Sequence, residues 1–200
     1  MIGIASIFKG AGLKSPNRIR HNGKLLSEIL AAHQRIVRGD EGGTRADLAG
    51  ANLSKVDLYK ANLAFVNFQG ANLAGANLRE AKLASADLSN ANLKKADLRK
   101  ADLTEANLSG ADLTQAHLGG TELFRADLRL AILRGADLGA ANLRNAEVGG
   151  ADFQGANMRT TILRETNLEG VDLSGLDLST ALMPPGYKRP APTKTTQTSS

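Results

Sequence analysis

Between residues 46 and 180 apolar side chains recur on a strict five-residue spacing, with a central position that is Leu in 23 of 27 units and Phe68, Val148, Phe153 or Met158 in the others. Two places earlier stands Ala in 20 of the 27, the exceptions being Val56, Val66, Thr121, Thr161, Thr166, Val171 and Leu176. The place between is polar, Asp 11 times and Asn 10 times. Two variable residues complete the unit, A-[D/N]-L-x-x, and no insertion or deletion interrupts it.

A period of five excludes the two simplest elements. An α-helix turns about 100° per residue, so leucines five apart would smear around its circumference. A flat strand alternates faces at each residue, so half of them would point to water. The chain must instead turn a corner at each unit and coil into a solenoid with Leu and Ala inside. Ala suits a crowded inner corner, and Asp or Asn suits the next place because its side chain bonds the local backbone in tight turns. The coils must also stack. Four buried leucines contribute roughly 6–12 kcal/mol, whereas fixing the backbone of about 20 residues costs roughly 20–40 kcal/mol.

Charge indicates how many units make a coil. Stacked strands lie about 4.8 Å apart, and like charges placed opposite one another are unfavourable. Three units per coil give five acid-on-acid neighbours in the polar column, and five units give eight. Four units give three: Asp102/Glu122, Asp127/Glu147 and Asp152/Asp172. Four is therefore expected, which puts Asp57, Asn77, Asp97, His117, Asp137, Asn157 and Asp177 in one column.

The run A-D-L-S-N-A-N-L-K-K-A-D-L-R-K-A-D-L-T-E at residues 86–105 resembles the pentapeptide-repeat family. The resemblance implies an all-β solenoid, a right-handed quadrilateral parallel β-helix, here of about seven coils and roughly 32 Å long at the strand spacing above.

Outside the repeat, residues 25–37 predict a helix: Leu25, Leu26, Ile29, Leu30, His33, Ile36 and Val37 fall at helical spacing, Gly39 stops it, and Asn22 is the expected N-cap. A solenoid's first coil leaves an open strand edge and a bare apolar face, so this helix is expected as an N-terminal α-helical cap. The string L-L-S-E-I-L-A-A-H-Q-R-I-V followed by G-G-T-R-A-D-L is similar to the leader before the first repeat in bacterial members of the family. His33, at the edge of the apolar stripe, reads as packing. The expected divisions are a flexible or amphipathic N-terminal segment at 1–21, the capping helix and entry loop at 22–45, the β-helix at 46–183 and a Pro-, Thr-, Lys- and Ser-rich disordered tail at 184–200.

Composition narrows the chemistry. With no Cys, neither a disulfide framework nor a Cys-based metal site can form, and a reducing compartment is compatible. No apolar run approaches the roughly 18 residues of a membrane span. Ile2, Ile4, Ile7 and Phe8 come before Lys9, Lys14, Arg18 and Arg20, the reverse of the order in a secretory signal. Ile4, Ile7, Phe8 and Ala11 share a helical face beside basic residues, the pattern of an interfacial membrane helix; a loose terminus or part of the cap is the competing reading. The net charge of +5 is uneven, because residues 46–180 hold 14 Lys/Arg against 17 Asp/Glu while the flanks hold 11 against 3.

Recognition is left to the two outer positions of each unit, which the sequence treats as free to vary. A basic patch gathers Arg79, Lys82, Lys94, Lys95, Arg99 and Lys100, interrupted by Asp97, Asp102 and Glu105; it reads as a solvated face that keeps a Leu-rich rod soluble. A second cluster places apolar groups where polar ones are the rule. Ile132 and Ile162 occupy Asp/Asn places, and Phe124 and Leu130 occupy outer ones. Under four-unit stacking Phe124, Arg144 and Arg164 fall in one outer column with Arg125 beside them, and Leu130 lies near Ile132 around a corner; exposed aromatic, aliphatic and arginine groups together are the composition of a protein-binding patch, with register tolerance or drift as the competing reading.

No residue set points to catalysis, a cofactor or a metal. Carboxylates recur for structural reasons, His21, His33 and His117 are far apart, and no phosphate loop or nucleophile elbow is present. The leading expectation is a non-enzymatic protein-interaction scaffold, bacterial and cytoplasmic, whose partner is another protein rather than a small-molecule substrate. The resemblance adds a homodimer through the C-terminal end of the rod, where Leu182, Met183, Pro184 and Pro185 break the pattern. Two alternatives stand beside it. Some family members mimic the DNA duplex and bind type II topoisomerases, which needs long acidic faces; the near-neutral, basic-dotted rod disfavours this, and disfavours nucleic acid as a partner. The other is a peripheral membrane scaffold attached through residues 1–20.

Overall fold

The computed structural model describes residues 12–188. The expectations about Ile2, Ile4, Ile7, Phe8, Lys9 and Ala11, and about the tail from 189 onward, lie outside these residues.

Parallel bridges join each polar residue to the one twenty places on, as in Asp47↔Asn67, Asn52↔Asn72, Asp57↔Asn77 and Asn62↔Lys82. Four units therefore close one coil, and the repeat resolves into four sides. Side one carries the central residues Leu48 through Leu168 in steps of twenty, side two Leu53 through Leu173, side three Leu58 through Leu178, and side four Leu63 through Leu163.

Three ladder bonds repeat between coils. Leu48 N–H donates to the Asn67 carbonyl at 2.7 Å, Gly50 N–H to Gln69 at 2.8 Å, and Asn67 N–H back to Ala46 at 3.2 Å. Within a unit, Ala51 N–H donates to the Leu48 carbonyl at 3.1 Å and closes the corner. At every corner from Gly50 to Gly175 the last residue of the unit has φ between 54° and 74°. A positive φ at the third place of a hydrogen-bonded four-residue turn defines type II. The fifth place of the unit is thus conformationally selected, which corrects the expectation that both outer places vary freely. Ten of these corners are Gly, and sixteen carry side chains, including Phe65, Leu130 and the β-branched Thr160, all in a region L-residues enter at some strain.

Inside, the central leucines and the small residues beside them form one continuous buried cluster, with Phe68 and Phe153 fully inside. Where Thr replaces Ala it stays buried because its hydroxyl finds an acceptor in the preceding coil. Thr121 Oγ1 donates to the Leu98 carbonyl at 2.9 Å, and Thr161 Oγ1 to Leu138 at 2.8 Å. On the wall, the polar place satisfies two donors at once. Asp57 Oδ1 accepts the Tyr59 N–H and also the Asn77 side-chain amide of the next coil.

Before the repeat come a short 3-10 turn at Pro16–Arg18, strand β1 (Arg20–His21), strand β2 (Lys24–Leu25) and helix α1 (Leu26–Arg38). β1 and β2 pair antiparallel around Asn22 and Gly23, which have φ of 48° and 79°. This is a two-residue type I′ hairpin, for which Asn-Gly is the strongest short signal. Asn22 is therefore a hairpin residue and not the helix cap. The N-cap is Leu25, whose N–H donates to Glu28 Oε2 at 2.9 Å; leucine has no acceptor to return, so only half of a capping box forms.

α1 packs on the first coil. Leu26 is fully buried in the same cluster as the repeat leucines, with Ile29 and Leu30 half-buried against it. Gln34 Nε2 donates to the Asn62 carbonyl at 2.6 Å, and Arg45 Nε donates to that of Phe65. Gly43 passes so close that a Cβ there would stand 2.5 Å from the Ile36 nitrogen. On side three, Lys14 pairs in parallel with Val56.

At the other end the ladder thins. Among the described residues Glu147↔Asn167 and Ile162↔Leu182 are bridged, while 152/172 and 157/177 are not. Asp152 and Asp172 are one of the like-charge pairs expected from the sequence; the Ser174 hydrogen bonds hold the Asp172 carboxyl below its ordinary range, and the charge of Asp152 opposes them only weakly. Val171, Leu176 and Met183 are only partly buried there.

Candidate interaction surfaces

Side four brings together five of the seven residues in the apolar-plus-arginine cluster. Phe124, Arg144 and Arg164 occupy equivalent places in successive coils, Arg125 follows Phe124, and Ile162 lies in the adjacent polar column. Ile162 is bridged to Leu182, which is 43% exposed. Arg144 is held in a two-pronged pair, Nε and Nη2 reaching Glu165 at 2.9 and 3.0 Å, while Asn145 Nδ2 donates to the same carboxylate at 2.9 Å. The Arg144 hydrogen bond first, then that of Asn145, holds the Glu165 carboxyl below its ordinary range. Arg125 Nη1 lies 3.4 Å from Glu105.

Leu130 and Ile132 sit elsewhere, at the corner between sides one and two. Leu130 is 70% exposed and lies over Gly150, its Cδ2 within 2.8 Å of where a Cβ would be. Arg129 and Arg134 flank the pair, bonded to Asp127 and Asp152 respectively. Sides two and four are opposite walls, so the cluster divides into two separate surfaces.

The basic residues also disperse. Arg79, Arg99 and Lys100 are on side three, Lys94 and Lys95 on side two, and Lys82 in the polar column of side four. Arg99 meets Asp97 through Nε at 2.9 Å and Nη2 at 2.6 Å, Arg79 approaches the same carboxylate at 3.8 Å, and Lys94 pairs with Asp112 at 3.0 Å. Burial pushes the Asp97 carboxyl up, but the Arg99 bonds and the charges of Arg99 and Arg79 outweigh it and hold the group low. A field cancelled this locally is a poor track for a phosphate backbone.

Two features escaped the sequence reading. Side one carries Asp47, Asp87, Asp127, Glu147 and Glu169 against the single base Arg129, itself bonded to Asp127. The rod's near-neutrality is therefore an average over unequal walls, which sorting charges by a period of twenty would have revealed. The second is Phe65, 55% exposed at a corner of side four near α1; an aromatic in an outer place was its signal.

Among the described residues no cluster of three or more His, Asp or Glu is placed to hold a metal ion, and no helix is long and apolar enough to cross a membrane.

The family model described as pentapeptide repeats matches in eight copies, over residues 44–80, 61–99, 81–120, 121–159 and 149–183. Similar solved structures include HetL, a pentapeptide repeat protein involved in heterocyst differentiation regulation from the cyanobacterium Nostoc sp. strain PCC 7120, with 32% identity over 59% of this chain and 70% of that one and a TM-score of 0.35. Rfr23 from the cyanobacterium Cyanothece 51142 shares 32% identity over 54% of this chain and 64% of its own, with a TM-score of 0.33. QnrB1, a plasmid-mediated fluoroquinolone resistance protein, shares 24% over 65% and 76%, with a TM-score of 0.36. No curated protein matches the chain.

Proposed function

The chain belongs to the pentapeptide-repeat family, and from that premise we propose that it is a non-enzymatic scaffold binding another protein through the outer walls of a right-handed quadrilateral β-helix of about seven coils. One observation carries the reading. On side four, half-buried Phe124 and exposed Arg144 and Arg164 stack in one column beside half-buried Ile162 and exposed Leu182, on a wall whose backbone is bonded from coil to coil. Aromatic and arginine side chains are enriched at interface cores and among hot spots, and the pairing of Arg144 with Glu165 already orders one of them. Substituting Phe124→Ser, Arg144→Gln and Arg164→Gln together should remove the main species from an affinity purification; an unchanged partner list would discard this surface.

In the same reading α1 is the N-terminal cap, residues 22–45 form its unit with the entry loop, and 46–183 form the rod. The C-terminal end pairs with a second copy, since Val171, Leu176 and Met183 are only partly covered there. Sedimentation of Leu176→Glu, expected as a monomer against a dimeric parent, tests this. The protein acts in the cytoplasm, with surface membrane contact through residues 1–20; flotation with liposomes, with and without that segment, tests the contact.

A second reading is favoured by side one, whose acids face a single base over the length of the rod. Such a wall suits mimicry of a duplex toward a type II topoisomerase. A supercoiling assay with purified protein decides between the two, potent inhibition or protection placing mimicry first.

A further inference from the structure

We propose that protonation of His33 releases α1 from the first coil, so that the N-terminal end of the rod is closed at neutral pH and opens in mild acid. This rests on α1 being the cap and adds the condition under which it lifts.

His33 is 1% exposed, wedged between α1 and the start of the repeat. The Ala46 N–H lies 3.4 Å from its Nδ1. A backbone N–H only donates, so Nδ1 carries the lone pair and the ring is neutral with its proton on Nε2. Nε2 makes no well-formed hydrogen bond among the described residues, although the Ala64 backbone acts on the ring and favours its proton. A second proton would land on Nδ1, turning an acceptor into a donor that faces the Ala46 N–H, and would place a charge in the interface. The charge that reaches the ring is that of Arg45, just before the first coil, of the same sign and held nearby by its bond to the Phe65 carbonyl; the charged groups of α1, Glu28, Arg35 and Arg38, are all exposed.

Burial first holds the packed ring below its ordinary value of 6.5; the Ala64 backbone pulls upward, and the Arg45 charge pushes down again. The released ring therefore binds protons more readily than the packed one. The contact is fully stable above about pH 6.5 and weakens as pH falls below it, down to the packed ring's own pKa. Within that window each pH unit multiplies the open-to-closed ratio by up to about tenfold, the limit for one proton. Opening uncovers the Asn62 carbonyl, held closed by Gln34 of α1. Bare strand edges of this kind are templates for pairing.

Amide exchange of the intact chain, read from about pH 7.5 to about pH 5 and corrected for intrinsic rates, tests the proposal. Protection in α1 should fall by up to about tenfold per pH unit below 6.5 while the amides of Leu88, Leu108 and Leu128 stay level, and His33→Gln should flatten the α1 slope. PH-independent protection in α1, or a slope that survives in His33→Gln, overturns it. Should that variant fail to fold, ring resonances of the parent decide: His33 is expected to titrate below 6.5 together with α1 amide shifts, and titration at or above 6.5 overturns the proposal. An α1 unprotected even at neutral pH would remove the cap reading instead.

Discussion

Asn77 Nδ2 donates to Asp57 Oδ1 at 2.8 Å across adjacent coils, and the same oxygen accepts the Tyr59 N–H at 3.2 Å. One carboxylate oxygen thus fixes a corner in its own coil and the spacing to the next. The arrangement recurs where Asn107 stands on Asp87 and Asn157 on Asp137. Asn over Asp works because the amide donates; Asp over Asp has no donor. Asn77→Asp should lower stability by about 1–2 kcal/mol, from a lost charge-assisted bond and a like-charge contact. The measurement is the urea midpoint at neutral pH, and the deficit should shrink once both groups protonate.

The corner residues give a second expectation. Gly150 has φ of 70°, and a side chain there would meet Leu130 at 2.8 Å. Gly150→Val should destabilise by at least about 1–2 kcal/mol through the left-handed backbone alone. Leu130→Gly removes an exposed apolar group from an unfavoured conformation, and its stability should stay within about 1 kcal/mol of the parent, the strain relieved being offset by unfolded-state entropy. Thermal melts of both variants check the contrast, and Leu130→Gly then serves as a folded variant for binding.

Core truncation should be far more damaging. Leu98 is fully buried and its carbonyl also accepts the Thr121 hydroxyl, so Leu98→Ala leaves a cavity between stacked coils with a cost of about 2–5 kcal/mol. Denaturant unfolding followed by circular dichroism gives the value.

Acid should act in a window separate from that of His33. Several wall carboxylates are held below their ordinary range: Asp127 by the Arg129 hydrogen bond, Glu165 by Arg144, and Asp177, at about 2, by Ser179 and then Arg159. A depressed folded pKa means that the stabilisation is complete above the unfolded values and is lost as pH falls through the folded ones. The melting temperature of the rod should be level down to about pH 4.5 and decline from there toward pH 2. Arg144→Gln should alter this little, because exposed ion pairs contribute about 0–1 kcal/mol.

How much was legible differs from element to element. The five-residue spacing of Leu and Ala determined the solenoid, and the scarcity of acid-on-acid neighbours pointed to four units per coil, because burial and Coulomb repulsion act at fixed spacing along the chain. α1 was equally visible in the spacing of Leu26, Ile29, Leu30 and His33. Asn22-Gly23 was in plain sight as a hairpin signal, yet it reads as a cap when only the helix is sought.

Only the tertiary structure decided which side chains meet. It separated Ile132 from Ile162, thinned the ladder between residues 152 and 172, and set His33 against the Ala46 N–H. Sequence fixes which side chains face outward, since that follows from local geometry repeated unit by unit. Which columns are neighbours follows once the period of twenty is known, but which side chains within them meet depends on contacts made across the coils and at the two ends, where the repeat gives way to unrepeated sequence and its periodicity says nothing.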